Sequence, residues 1–297
     1  MPRCAFLTMD DLTGFVTYDA LARGPLAELG WTLDEVSWRA PDVVWHEYDL
    51  VVIRTPWDYQ TAPAAFLCVI DSIAAVTRLE NDAPTVRWNL RKSYLQQLEE
   101  RAVRIVPTLW QEDGDEHAVR AAFDTFATDE IVIKPQVGAN ADDAIWLRRA
   151  EPEFDANLRY TANLYRERAH LLQPFVHSIV EEGEFSLIFF RGEYSHGILK
   201  TPRRHDFRVQ EEHGGTITAV CPEPALLRAA ERAVRAAAAV GPSARAPLYA
   251  RADLVRMPDG GFALMELELI EPSLYLSYDA GAPARFAAAI DDTLRRT

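Results

Sequence analysis

Residues 249–273 read YARADLVRMPDGGFALMELELIEPS, two apolar runs joined through Pro258, Asp259, Gly260 and Gly261. A turn of this composition between alternating segments specifies an antiparallel hairpin. With the turn centred on Asp259 and Gly260, Asp253 falls opposite Glu266 and Arg251 opposite Glu268. Side chains alternate faces along a strand, so Glu266 and Glu268 share one face while Met265, Leu267 and Leu269 point to the other. Asp253, Glu266 and Glu268 therefore meet on one patch. Like charges facing each other across a sheet destabilise it, more so when partly buried, and a bound cation relieves them. An all-oxygen donor set without histidine favours magnesium over zinc, with phosphate oxygens and water completing the shell. The alternative is a solvated face balanced by Arg251.

Only three of the 31 Lys and Arg residues are lysine: Lys92, Lys134 and Lys200. Lys134 ends the apolar run IVIKP at 131–135, and Pro135 turns the chain into QVGANADD at 136–143, where Gly138 permits close backbone approach. A lysine at a strand end beside a loop of small residues suits a phosphate hand and lid, although a lysine snorkelling to the surface gives the same pattern. Lys200 ends the second strand of a hairpin, GEFSLIFFRGEYSHGILKTP at 183–202, that turns on Arg191 and Gly192. It leads into TPRRHDFRVQEEHGG, where Arg203, Arg204 and Arg208 gather charge. In a chain of net charge -14 that local excess implies a specific anion. The seven histidines show no metal-ligand spacing, and His205, inside this loop, is the one placed to share its role.

The first part of the chain alternates strand and helix signals: CAFLTM at 4–9, an amphipathic helix over 18–29, LDEVSW at 33–38 and DLVVIRT at 49–55. Strands separated in this way imply a parallel sheet, with ligands beyond its carboxyl ends. Two polar stretches follow such ends: MDDLTGF, carrying Asp10, Asp11 and Thr13, and RTPWDY, carrying Arg54, Trp57 and Asp58. They suit either ordinary capping loops or a pocket for a small polar substrate with Arg54 as carboxylate clamp. From residue 87 the spacing predicts a helix beginning near Asn89 and carrying Lys92, a short strand, the pair IVIKP and IWL, and a helix over 154–168. After LLQPFV and the hairpin come a helix over 226–240 closed by Gly241, the carboxylate hairpin, and a helix over 283–296. The reading is an α/β chain of three lobes: 1–86, 87–175 and 176–297.

At 297 residues, 48% hydrophobic and 26% charged, the composition is that of a globular protein with a sizeable core. Its negative charge repels phosphate backbones and anionic lipid surfaces, so neither nucleic acid nor membrane is an expected partner. Cys4, Cys68 and Cys221 are far apart and lack a C-x-x-C pair, which argues against disulfides or zinc and fits a reducing, cytoplasmic location. No signal peptide or membrane-length apolar run is read in the chain.

The order of these elements resembles the ATP-grasp ligases, the group containing glutathione synthetase, D-alanine:D-alanine ligase and the glutamate ligase that extends ribosomal protein tails. The likeness runs over about 87–278, with the first lobe matching the domain that precedes the grasp, and implies two α+β lobes clasping ATP with magnesium. By that resemblance Lys92 and Lys134 contact the ATP phosphates, and the loop around Gly138 closes over them. Gln173, Pro174, Phe175 and Val176 form the hinge that reads adenine, and Glu181 or Glu184 holds the ribose. Lys200 and Arg208 reach the transferred phosphate or the substrate carboxylate, and Arg251 or Arg208 supports a tetrahedral intermediate. Asp253, Glu266 and Glu268 fall on the family's magnesium positions. Asp10, Asp11, Thr13, Arg54, Trp57, Arg203 and Ser273 are the candidates for substrate contact.

Two departures stand out. Glu268 replaces the usual asparagine of the last metal motif, and the lid is poor in glycine. The implied reaction moves the γ-phosphate to a substrate carboxylate, and a nitrogen then attacks the acyl phosphate. TMDDLTGFVTYD, RTPWDY and MELELIEPSLYL are together similar to the small cyclo-ligases of D-cycloserine biosynthesis, an antibiotic pathway, which close O-ureido-D-serine into a ring. An intermolecular ligase joining a carboxylate to a separate amine, and a nucleotide-binding regulatory module without turnover, are the competing readings. The chirality of the amino-acid-like substrate, magnesium against manganese, and the oligomeric state, a homo-oligomer included, stay open.

Overall fold

A computed structural model describes residues 1–297 apart from Asn140, Arg204, His205, Phe207, Gln210, Ala244, Arg296 and Thr297. The expectations for Arg204 and His205 thus lie outside the described residues.

The first sheet holds β1 (Arg3–Thr8), β2 (Thr32–Ser37), β3 (Leu50–Thr55) and β4 (Arg78–Glu80) in the order β2-β1-β3-β4, all parallel. β1 and β3 are buried at nearly every position because both sheet faces are covered. One face takes Ala5, Leu7, Val51 and Ile53 against Phe66, Ile70 and Ile73 of α2 (Pro63–Ala74). The expected helix over 18–29 appears as a short 3-10 turn, Asp19–Ala22, followed by α1 (Arg23–Glu28). Pro25 lacks the N–H that a longer continuous helix would need there.

A larger departure falls between α3 (Ala83–Asn89) and α4 (Tyr94–Glu99). Asp82 caps α3 by accepting from the Thr85 N–H at 3.1 Å, and the helix ends at Asn89 instead of beginning there. Lys92 therefore sits in the break, not on a helix. Its N–H reaches the Gln136 carbonyl at 2.8 Å, a bond to another segment that a continuous helix would have used internally.

The second sheet runs β5-β8-β6-β7, all antiparallel, from β5 (Leu109–Gln111), β6 (Glu130–Pro135), β7 (Ile145–Arg148) and β8 (His170–Pro174). Phe123 on α5 (Glu116–Thr125) and Leu158 on α6 (Phe154–Leu164) cover Ile131, Ile133 and Leu172 on one face. After α7 (Ser178–Glu181), the third sheet is built from β9 (Glu184–Phe190), β10 (Glu193–Thr201), β11 (Thr216–Val220), β12 (Tyr249–Arg256) and β13 (Phe262–Glu268), in the order β11-β10-β9-β12-β13. The alanine-rich α8 (Pro224–Val240) packs Ala230, Ala233 and Ala237 onto Phe185, Phe189 and Leu254. Gly241 closes it in an extended conformation, where a Cβ would stand 2.7 Å from the Ala237 carbonyl oxygen.

The last helix, α9 (Ala282–Arg295), returns to the free face of the first sheet. Phe286 meets Phe6 and Phe190 with ring centroids 6.0 and 5.2 Å away, so one core joins the two sheets. In the β12-β13 hairpin, Arg251 pairs with Glu268 and Asp253 with Glu266, as read from the sequence. Nearer the turn the register shifts, with Leu254 opposite Leu264. The shift leaves Met265 as an extra residue that lines the cleft rather than the core behind the hairpin.

Candidate active site

Between the second and third sheets lies a cleft of about 1640 Å³, part of it open to solvent, reached by side chains from both sheets and, from the first lobe, by Val16, Trp57 and Tyr59. All three lysines line it. Lys92 donates to Glu266 Oε1 at 2.6 Å and to the Gly138 carbonyl at 3.1 Å, so one ammonium ties the carboxylate hairpin to the loop at 136–143. Burial pulls its pKa down, but the attraction of Glu266 outweighs that and leaves it raised. Lys134, on β6, forms no ion pair among the described residues. Burial lowers its pKa, with Glu266 and Glu184 opposing and Lys92 reinforcing the fall. Lys200 is buried between Glu184 and Asp253, and its ammonium is held charged by both despite its burial.

Asp253, Glu266 and Glu268 line the same wall, each drawn to a cation of the protein. Arg251 grips Asp253 through Nε at 3.0 Å and through a terminal nitrogen at 2.9 Å, and its guanidinium also holds Glu268. Ser186 donates to Asp253 as well. Among the described residues no three His, Cys, Asp or Glu side chains are gathered closely enough to hold a metal ion. The acids share a face but are pulled apart, Glu266 towards Lys92 and the other two onto Arg251, since like charges separate when cations are within reach. Burial, with the neighbouring acids adding to it and Arg251 opposing, pushes Glu268 up to about 8. A donor set of oxygens alone, one of them held above its ordinary range, suits a divalent cation.

The opposite end of the cleft is apolar. Gln173, Pro174, Phe175 and Val176 line it, with Phe175 stacked on Trp146 at 4.2 Å between centroids and Gln173 donating to Thr108 at 3.0 Å. Val106, Val132, Ile179, Val209 and Met265 complete a slot for a flat base. In the sequence the first four have the look of ordinary core residues, and Met265, expected on the face away from the acids, reaches the slot through the register shift. Of the two candidate ribose acids, only Glu184 faces the cleft; Glu181 is exposed at the end of α7 and does not line it.

The loop at 136–143 contributes Gly138, Ala139, Ala141 and Asp142 to the lining. Gly138 is needed for packing, because a Cβ there would fall 2.8 Å from Pro135 Cγ. Arg168 pairs with Asp143 at 2.5 Å, and Gln60 donates to Asp142 at 3.2 Å, so the loop rests against the first lobe. Arg208 reaches the cleft with its guanidinium doubly bonded to Asp206 at 3.1 and 3.0 Å. Arg203 does not; it is exposed beside the same Asp206, which draws it along the loop surface.

On the first-lobe side, Trp57 and Ser273 line the cleft. Asp10, Asp11 and Thr13 line an adjoining cavity that shares Trp57 and Asp142 with it. Asp11 accepts from the Thr13 N–H at 2.8 Å and Asp10 from Ser37, which is loop-capping behaviour. Arg54 corrects an expectation outright. It is 0% exposed, donates to Asp19 at 3.1 Å and to the Pro272 carbonyl at 2.9 Å, and lies over the Tyr249 ring, so no face is left to clamp a substrate.

Asn89, expected only as a helix start, joins Tyr59 and Glu271 among lining residues that the sequence does not mark for the site. Asn89 brackets the acid strand, donating to the Leu267 carbonyl and accepting from the Leu269 N–H, both at 2.8 Å. Tyr94 accepts from the Leu267 N–H at 2.8 Å. The ends of α3 and α4 thereby fix the strand that presents Glu266 and Glu268.

Comparisons with known proteins agree with this geometry. Residues 4–81 match the family model described as the N-terminal domain of D-cycloserine synthetase DcsG. The cycloserine biosynthesis protein DcsG of Streptomyces lavendulae is 34% identical over 263 residues, 84% of each chain. The crystal structure of D-cycloserine synthetase DcsG superposes with a TM-score of 0.87 at 29% identity, covering 98% of this chain and 99% of that one. A D-alanine–D-alanine ligase from Bacillus anthracis shares the fold, with a TM-score of 0.68 at 12% identity over 100% of this chain and 98% of its own. The chain belongs to the D-cycloserine synthetase family of ATP-grasp ligases.

Proposed function

We propose that this protein uses ATP to activate the carboxylate of O-ureido-D-serine and closes the molecule into the ring of D-cycloserine. The observation that carries the ligase reading is the single cleft in which Lys92, Lys134 and Lys200 face an acid wall at one end and an apolar slot at the other. The kinship with DcsG, a protein named for cycloserine biosynthesis, supports the substrate.

Adenine fits between Val106, Val132, Phe175 and Met265, and Glu184 is placed for the ribose. Lys134 meets the phosphates with an ammonium that has no ion pair among the described residues, while Lys92 couples the loop over them to the hairpin. Asp253, Glu266 and Glu268 would hold magnesium, which when bound offsets the charge of the phosphate oxygens. Lys200 and Arg208 face the transferred phosphoryl group, and Arg251 lies where an oxyanion would develop. The substrate carboxylate oxygen takes the γ-phosphoryl group and ADP leaves. The oxygen-bound ureido nitrogen then attacks the acyl carbon, expels phosphate and loses its proton, which forms a five-membered ring. Water removes the remaining carbamoyl group from that nitrogen as carbon dioxide and ammonia. Closure of the loop at 136–143 keeps water from the acyl phosphate before the ring forms.

The lobes 1–86, 87–175 and 176–297 would be the bodies that close. Dependence on ATP supports a cytoplasmic location, and among the described residues no helix is long and apolar enough to cross a membrane. The test is ADP release by the purified protein across a panel of amino acids, with mass spectrometry of the products. ADP formed with O-ureido-D-serine together with a cyclised product supports the proposal. ADP formed only on adding a second amine points to an intermolecular ligase, and ATP binding without turnover to a regulatory module.

A further inference from the structure

Glu271 follows the acid strand and closes the first-lobe side of the cleft. It is 9% exposed and lines the same cavity as Lys92, Trp57 and Tyr59. The lining acids of β9, β12 and β13 each have a cation of the protein beside them: Asp253 and Glu268 have Arg251, Glu184 has Lys200, and Glu266 has Lys92. Glu271 has none within ion-pair distance among the described residues, and its side chain is engaged by the Tyr59 hydroxyl. Its backbone is fixed, because Trp57 Nε1 donates to the Glu271 carbonyl at 2.8 Å.

A buried carboxylate without a cation is costly, and a cleft that retains one recovers the cost when a ligand brings the charge. Resting on the ligase reading above, we propose that Glu271, oriented by Tyr59, receives the α-ammonium of the amino-acid substrate and makes the enzyme selective for substrates that carry one. The placement suits the chemistry. The reacting carboxylate must lie towards Lys200 and the acid wall, and an α-ammonium is one carbon from it. Glu271 lies three residues beyond the end of β13, on the side where the first lobe closes the cleft. Burial, with Glu266 adding to it and Tyr59 opposing, holds the Glu271 carboxyl up at about 7, the behaviour of an acid that a bound cation would ionise.

The experiment compares wild type, Glu271→Gln and Tyr59→Phe on O-ureido-D-serine and on 3-(ureidooxy)propanoic acid, its analogue with hydrogen in place of the α-ammonium. Glutamine keeps the shape and removes the charge. Wild type should lose roughly tenfold or more in kcat/KM on the analogue, the scale of one charge-assisted hydrogen bond. Glu271→Gln should show a similar loss on the amino acid, mainly in KM, with KM for ATP unchanged and no further loss on the analogue. Tyr59→Phe should show a smaller loss of the same kind. Equal losses on both substrates, or none on either, would overturn the proposal. So would a Glu271→Gln variant that still forms an acyl phosphate trappable by hydroxylamine but no longer closes the ring, since that behaviour belongs to a base. If wild type is inert towards O-ureido-D-serine, the substrate assignment fails alone, and the same comparison is run on whichever amino acid elicits ADP. If none does, both fall.

Discussion

Lys134→Met separates the cost of a buried charge from its use. In the free protein the Lys134 ammonium is partly buried with no ion pair among the described residues, and burial lowers its pKa. A methionine of similar length fills the same space without a charge to desolvate, so folding stability should be unchanged or rise by about 0–2 kcal/mol. With ATP bound the balance reverses. A charge-assisted hydrogen bond to phosphate contributes roughly 1.5–3 kcal/mol, which predicts a loss of about 10- to 150-fold in ATP affinity. Titration calorimetry with ATP and magnesium, beside thermal melting of the free protein, reads both quantities. A variant that melts several degrees lower and binds ATP as tightly as wild type would refute the reasoning, because Lys134 would then be a structural residue.

Lys200→Met should behave in the opposite way: it leaves Glu184 and Asp253 buried without their shared cation, and denaturant unfolding should show a loss of about 3–5 kcal/mol. Arg54→Met strands Asp19 in the same manner and should cost a similar amount, about 3–5 kcal/mol, while KM for both substrates in the surviving enzyme stays unchanged. Asn89→Ala leaves two backbone groups of the acid strand unpaired and should destabilise by roughly 2–4 kcal/mol, with a weaker response of activity to magnesium as the acids lose their support. Glu271 has a folded pKa of about 7 against an ordinary 4.5, so the folded state keeps its proton longer than the unfolded chain does. Its contribution to stability is full below the ordinary value and is lost as pH rises through the folded one. The melting temperature of wild type should therefore fall relative to Glu271→Gln between about pH 5 and pH 8, measured without ligands.

The carboxylate hairpin was legible because a strong turn signal and a period of two fix which side chains face each other. The register of Asp253 with Glu266 held, and the bulge at Met265 did not show, since nothing in an apolar run marks which residue will be extra. Lys134 could be read because it ends a short, clearly bounded strand, whereas Gln173–Val176 stood out only through the family resemblance. Lys92 was placed on a helix because the amphipathic pattern continues across the break; the contacts that interrupt it come from Gln136 and from the acid strand, far away in sequence. Arg54 looked like a clamp because a strand end in a parallel sheet often faces ligand. Its guanidinium instead satisfies Asp19, 35 positions away, and the Pro272 carbonyl, 218 positions away, pairings that no local pattern encodes. The apolar slot was unreadable for a related reason: Val106, Val132 and Val209 become a binding surface only when the second and third sheets face each other.

The most direct test of the account is a single-turnover reaction of the purified protein with ATP, magnesium and O-ureido-D-serine, following ADP and the cyclised product together, with the L enantiomer in parallel. The account predicts one ADP for each ring closed, from the D form, and none of either when magnesium is removed by chelation. ADP without a ring, or a ring formed without ATP, would contradict it.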